Sequence, residues 1–317
     1  MAVSDSARAS LYLITIIPSL IATLINLYYL LFDRTLRAAL NNHVIILVLL
    51  FVLIFDSTTV VCSIRFYRTG IVLAPNPAFC MIETFIDSTV TVIITYLMAW
   101  ASIERHILIF YSHWFATKSK RFVFHYFPLF ICLIYPIIIY SFMLFIQPCT
   151  IQLDYHRTQC GFYDCVTSNK NLAIFDVLAH NFIPITIVFT LNIALFIRVL
   201  CHRHRVQQRI DWRNYKKMAI QILLIATVFI LFLFPPIILY TAYSFGLSWT
   251  IGADYISDGV YFGFYAFMLI PFASLTSLPK LRKKCKNIIF FWQRHPAVNP
   301  EAVLLARIKP NQTINKY

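Results

Sequence analysis

Acid and glycine are both scarce in this chain. Its 317 residues include only 13 Asp and Glu against 27 Lys and Arg, and only six Gly. Charged residues of both signs make up 13% of the total, while hydrophobic residues make up 60%. That excludes an ordinary soluble domain, whose surface carries about a quarter of its residues as charges. His-Glu-x-x-His is missing, and the nine His fall mostly at connections, so a membrane-embedded hydrolase has no candidate centre and the chain is read as not an enzyme. No metal-ligand spacing is present, and no metal or cofactor is expected. Absence of an internal repeat removes the main support for a transporter.

What the chain does have is long apolar runs. A helix crossing a bilayer needs about 20 mostly apolar residues. Seven stretches qualify, at 10–32, 43–65, 80–103, 123–146, 172–197, 218–243 and 255–278. Each is far longer than a membrane-barrel strand of about ten residues. The expected fold is therefore an all-α membrane protein, a seven-transmembrane-helix bundle over 10–278, preceded by a short extracellular segment 1–9. The first run is too long for the roughly 7–15 apolar residues of a signal peptide and lacks a small-x-small cleavage site, so it is read as an anchor.

Orientation follows from the basic residues. Five Lys and Arg (Arg8, Arg65, Arg68, Arg157 and Lys170) fall on one side of the bundle and the other 22 on the opposite side. Cytoplasmic connections carry the excess, which puts the N-terminus outside and the C-terminus inside. The net charge of +14 is accounted for by this asymmetry and anionic inner-leaflet lipid, so the lipid bilayer is the expected partner and no nucleic acid is needed. Of eight cysteines, Cys80, Cys149, Cys160 and Cys165 lie on the outer side, where two bridges can form in three ways. Residues 279–292 place Leu281, Cys285, Ile288 and Trp292 on one helical face against Arg282, Lys283 and Lys286. This predicts a short cytoplasmic amphipathic eighth helix, with Cys285 a lipidation candidate. Residues 293–317 are expected to form a disordered cytoplasmic tail.

Charges inside membrane helices mark function by default. Glu83, Asp87, Thr91 and Thr95 recur at spacings of four in the third run. Asp176, His180, Asp254 and Asp258 cluster toward the same outer mouth, so the ligand-binding residues are expected to be Asp87, Glu83, Thr91, Asp176, His180, Tyr261 and Asp258. An acidic funnel attracts cationic ligands.

At the other end of the third run, Glu104-Arg105-His106 follows Cys80 by the interval that separates the conserved cysteine from the Asp/Glu-Arg-Tyr motif in a known family. With Asn26 in the first run, Pro184, Pro235 or Pro236, and Pro271 in the fifth to seventh, the chain resembles the rhodopsin-like (class A) G-protein-coupled receptors over about residues 10–292. It departs from them in several places. His106 replaces Tyr. Phe51 to Ile54 are apolar where the family has a sodium-binding Asp, with Asp56 a little late. Ile270-Pro271-Phe272-Ala273-Ser274 stands for Asn-Pro-x-x-Tyr, and Asn192 stands for the fifth-helix Tyr.

The resemblance implies a plasma-membrane, multi-pass receptor that binds an extracellular ligand and activates a heterotrimeric G protein. It implies that Glu104, Arg105, His106 and Pro271 form the switch, with Glu104 neutralising Arg105. It also implies that Cys80 bonds a cysteine of the 149–165 loop: Cys165 is preferred, leaving Cys149 and Cys160 to close a hairpin, and Cys160 is the alternative. The long outer loop favours a basic or amidated peptide as ligand; an amine receptor is the alternative, and a transporter or channel is more remote. The orientation is directly testable: on intact cells a tag after Tyr317 should be hidden from antibody and one near Asp154 accessible, and the reverse pattern would overturn the assignment.

Overall fold

The computed structural model describes residues 4–115, 117–146, 153–161, 169–203, 212–248 and 250–275. Every regular element among them is helical. Seven helices are long and apolar enough to cross a membrane: Asp5–Phe32, Asn42–Thr69, Pro77–Leu108, Lys118–Ile146, Lys170–Arg198, Leu223–Ser244 and Ala253–Leu275. Ordinals below refer to these seven. Their number and order match the apolar runs, and the chain reads as a multi-pass membrane protein. Most of them extend past the runs into polar flanks, because backbone caps rather than hydropathy end them. The first begins at Asp5, inside the segment expected to precede the bundle. The eighth-helix region, Cys285 and the tail lie outside the described residues.

Local chemistry sets several of these ends. Pro77 opens the third helix where a backbone N–H is dispensable, and the Asn76 side chain accepts from the Phe79 N–H at 2.8 Å. The Asn169 side chain does the same for the fifth, accepting from the Asn171 and Leu172 amides. Gly70 closes the second with φ of 68°, a left-handed conformation that costs glycine little. Wider π turns interrupt three of the spans, at Asp56–Val60, Phe122–Tyr126 with Phe142–Ile146, and Val177–Phe182. The first of them starts at Asp56 and the second contains His125. Such turns shift the facing of everything beyond them and often accompany functional side chains.

Consecutive helices pack as neighbours, except that the fourth and fifth meet chiefly through side chains, Tyr140 to Asp176 and Tyr135 to His180; the seventh returns to the first, and the third packs on the second, fourth and fifth. The arrangement is polar inside and apolar outside. Ser19, Asn26, Asp56, Asp87 and Asn192 are buried, while Ile14, Leu24, Phe130 and Ile138 are exposed on the periphery. That is the distribution a hydrocarbon solvent selects, since interhelical hydrogen bonds replace the drive to bury apolar surface. The Ser19 hydroxyl lies 2.6 Å from the Asp56 carboxylate and 3.0 Å from the Met268 carbonyl, and Asn26 donates to the Pro271 carbonyl at 2.8 Å. These contacts join the first, second and seventh helices. They also place Asp56, read from sequence as a little late, in the bundle interior.

The sixth and seventh helices approach closely at a glycine. A Cβ built on Gly259 would stand 2.8 Å from the Cβ of Pro236, a ring that cannot swing aside. Gly259→Ala should therefore destabilise the bundle by about 1–3 kcal/mol, the usual cost of overpacking, read as a lower thermal midpoint of the purified protein.

Candidate functional site

The site begins with the loop before the fifth helix. Cys160 is bonded to Cys80 at the start of the third helix, with the two Cα atoms 5.8 Å apart. The preferred Cys80–Cys165 pairing is thereby corrected to the alternative, and Cys160 is not free to close a hairpin with Cys149. Cys149 and Cys165 themselves lie outside the described residues. The physical reason is local: Gln159 and Cys160 both adopt left-handed backbone, φ 53° and 54°, so the chain doubles back where the bridge forms. The Val72 amide donates to the Tyr155 carbonyl, and the Asp154 amide to the Cys160 carbonyl, both at 3.1 Å, fixing the loop against the bundle.

This turn drives the Gln159 side chain down onto the third helix, where its amide donates to the Asp87 carboxylate. Asp87 is buried at 8% exposure and lies beside Thr59. It makes no ion pair with Arg65, Arg68 or Lys170 among the described residues. Two cavities meet at this hydrogen bond, sharing Asp87, Gln159, Ile256, Val260 and Phe264 in their walls. The larger, about 630 Å³, is the more polar of the two, with Glu83, Arg8, Arg157 and Tyr261 around it. The smaller, about 330 Å³, holds Thr91 at its wall among Leu233, Pro236, Ile237 and Phe267. A group entering both would place a hydrogen-bond donor at Asp87 and an apolar portion between the sixth and seventh helices.

The expected acidic mouth is only partly assembled. Asp87, Glu83, Thr91 and Tyr261 do line the two cavities. Asp258 is already paired: Arg8 of the first helix reaches it at 2.6 Å and lies over the rings of Tyr67 and Tyr261, 5.6 and 5.4 Å from their centroids. Asp176 and His180 line neither cavity. They bond each other at 2.7 Å, fully buried, while Tyr140 donates to Asp176 at 2.8 Å and Tyr135 lies 3.1 Å from His180. They tie the fifth helix to the fourth. Spacing alone signalled carboxylates near one end; it carried nothing about Arg8 and Gln159, which neutralise or occupy two of them.

The Arg105 end differs from expectation in its pairing. Glu104 is 1% exposed, and its carboxylate is held by His125 of the fourth helix, not by Arg105. The other ring nitrogen of His125 lies 2.9 Å from His43 of the second helix, and the far nitrogen of His43 lies 2.9 Å from the Arg37 carbonyl. The cause is reach. Neighbouring side chains on a helix diverge by about 100°, so Glu104 and Arg105 cannot face one partner, and His125 meets Glu104 across the helix contact. Arg105 is 1% exposed, and both of its terminal guanidinium nitrogens lack a hydrogen-bond partner among the described residues. The His106 ring contacts the Ser102 carbonyl at 3.3 Å, and Asn192 of the fifth helix donates to the Ser102 hydroxyl at 2.9 Å. The one signal for His125 in the sequence was an imidazole inside an otherwise apolar run.

Among the described residues no cluster of side chains could hold a metal ion. No family model matches the chain, and no curated protein matches it either.

The bridge makes a double-mutant prediction. Cys80→Ser and Cys160→Ser should each lower stability by about 2–5 kcal/mol and the double variant no further, because one bond is being removed. Thermal unfolding of the three variants in detergent measures this, and additive losses would mean that the two cysteines act separately.

Proposed function

We propose that the chain is a G-protein-coupled receptor of the plasma membrane, divergent from the rhodopsin-like family it resembles. The Cys80 end faces outward and takes a cationic or amide-bearing ligand, a basic or amidated peptide. The Arg105 end faces the cytoplasm and meets a heterotrimeric G protein. One observation carries the reading: a single helix holds a buried carboxylate in the wall of two cavities at one end and, at the other, a buried guanidinium whose terminal nitrogens have no hydrogen-bond partner among the described residues. Asp87 and Arg105 are 18 residues apart, about 27 Å of helix. Each is costly to leave where it is unless a partner arrives, and one rigid element connects them. A ligand acts by binding more tightly to the arrangement in which Arg105 is accessible, and the coupling is reciprocal.

The smaller chamber, about 330 Å³, favours the second reading, a biogenic-amine receptor, since that volume suits a compact aromatic amine beside Asp87.

Nucleotide exchange in cells expressing the chain, challenged with peptide and amine libraries, separates the two readings. Arg105→Ala should abolish exchange and leave ligand binding within about twofold. Asp87→Asn should weaken a cationic ligand about 10- to 100-fold, the worth of a charged hydrogen bond, with basal exchange intact. Normal exchange by Arg105→Ala would remove the switch role from Glu104-Arg105-His106.

A further inference from the structure

Asp87 lies in a wall shared by two cavities, yet neither of its oxygens is ready for a ligand. Oδ2 accepts from the Gln159 amide, and Oδ1 is buried and meets no donor among the described residues. A ligand that pairs with this carboxylate must therefore move the Gln159 side chain first. The loop backbone cannot carry it away. Cys160 is bonded to Cys80, the Asp154 amide donates to the Cys160 carbonyl at 3.1 Å, and the Thr84 hydroxyl of the third helix donates to the Gln159 carbonyl at 3.4 Å. Only the side chain is left to swing, so the displaced carboxamide stays beside Asp87 as an intramolecular competitor at high effective concentration. The turn that aims it is strained. Gln159 and Cys160 are left-handed, at φ 53° and 54°, a conformation uncommon outside glycine that clusters at ligand clamps.

We propose that Gln159 is a tethered occupant of the Asp87 site, and that the ligand replacing it bears a planar cation with two forked donors, an amidinium or a guanidinium. This rests on the reading of Asp87 as the ligand's partner and narrows it. Three chemistries compete for the position. A carboxamide, as at the end of an amidated peptide, is the group Gln159 already supplies, and it gains nothing against a copy that is covalently present. An ammonium brings charge, but as a point donor it meets one oxygen well and leaves the other. An amidinium or guanidinium brings charge and two parallel N–H groups at the spacing of a carboxylate, so it meets Oδ2 and the donorless Oδ1 together. Glu83 in the larger cavity, whose Oε2 is also buried without a donor among the described residues, adds to the attraction for a cation. Beyond Asp87, the smaller chamber between Leu233, Pro236, Ile237 and Phe267 receives the carbon skeleton. Gln159 thus determines selectivity: it sets a threshold that a neutral donor fails and a charged fork passes.

The test uses three probes of similar size, benzamidine, benzylamine and benzamide. Their binding to the full chain in lipid nanodiscs is measured by ligand-observed NMR. In the wild type, benzamidine should bind about tenfold tighter than benzylamine, and benzamide should not bind. Gln159→Gly removes the carboxamide while glycine keeps the left-handed turn. It should tighten benzamidine about tenfold, the worth of the hydrogen bond no longer displaced, and admit benzamide. Gln159→Asn also tolerates that backbone but falls one methylene short of Asp87, and it should behave in the same way. Asp87→Asn should erase the preference for benzamidine over benzamide. Equal benzamidine affinity in the wild type and in both Gln159 variants would overturn the proposal, as would no binding of benzamidine to either variant. Benzylamine binding as tightly as benzamidine would overturn the forked cation. No G protein is present, so a chain that passes these measurements and yet drives no nucleotide exchange would lose the receptor reading alone.

Discussion

In hydrocarbon a polar group has no water to fall back on, and the arrangement of this bundle follows from that. Every buried hydroxyl, amide and carboxylate must find a partner on its own helix or the next one, and an unmet group costs several kcal/mol. The third helix therefore occupies the middle. It carries Asp87, Ser102, Glu104 and Arg105, and its neighbours supply Gln159, Asn192 and His125 to meet the first three. The lipid-facing residues impose no comparable specificity, since one aliphatic side chain is as good as another against acyl chains. What distinguishes this seven-helix bundle from a generic one is a handful of polar contacts.

That division explains what could be read from the residues in order. Number, length and sequence of the long helices follow from hydropathy, a property of contiguous runs. The ends were misplaced by several residues, because Asn76, Asn169 and Gly70 set them through backbone geometry that hydropathy ignores. Asp87 was legible, with Glu83, as an acid inside an apolar run, and it does lie in a cavity wall. Partnerships were not legible. Glu104 sits beside Arg105 in sequence, yet a helix turns adjacent side chains apart and hands Glu104 to a residue 21 positions away. Four cysteines on one side are chemically equal until the loop's backbone is known, and the deciding feature, left-handed Gln159 and Cys160, has no strong signature in either residue type.

Arg8 shows the same limit from another direction. Counted as one of five basic residues in polar connections, it helps set orientation. In the folded chain it is buried, packed over the rings of Tyr67 and Tyr261 and bound to Asp258. Burying a guanidinium is tolerable here because the carboxylate and the ring faces together replace its hydration. The acidic mouth suggested by composition is thus half internal scaffolding, and Asp87 is left as its buried acid without an ion-pair partner among the described residues.

The near-contact of Gly259 with Pro236 has a mechanical side. Where two helices touch with no side chain between them, neither can move closer, and relative motion is restricted to rotation about that point. The sixth helix extends 24 residues from Pro236 back to Trp212, about 36 Å, toward the Arg105 end, and only eight from Pro236 to Ser244. The contact divides it into a long arm and a short one, as a pivot divides a lever. A small rearrangement of the short arm, beside the cavities, is magnified at the tip of the long one, so the lack of a single methyl group sets the ratio at which displacement is transmitted.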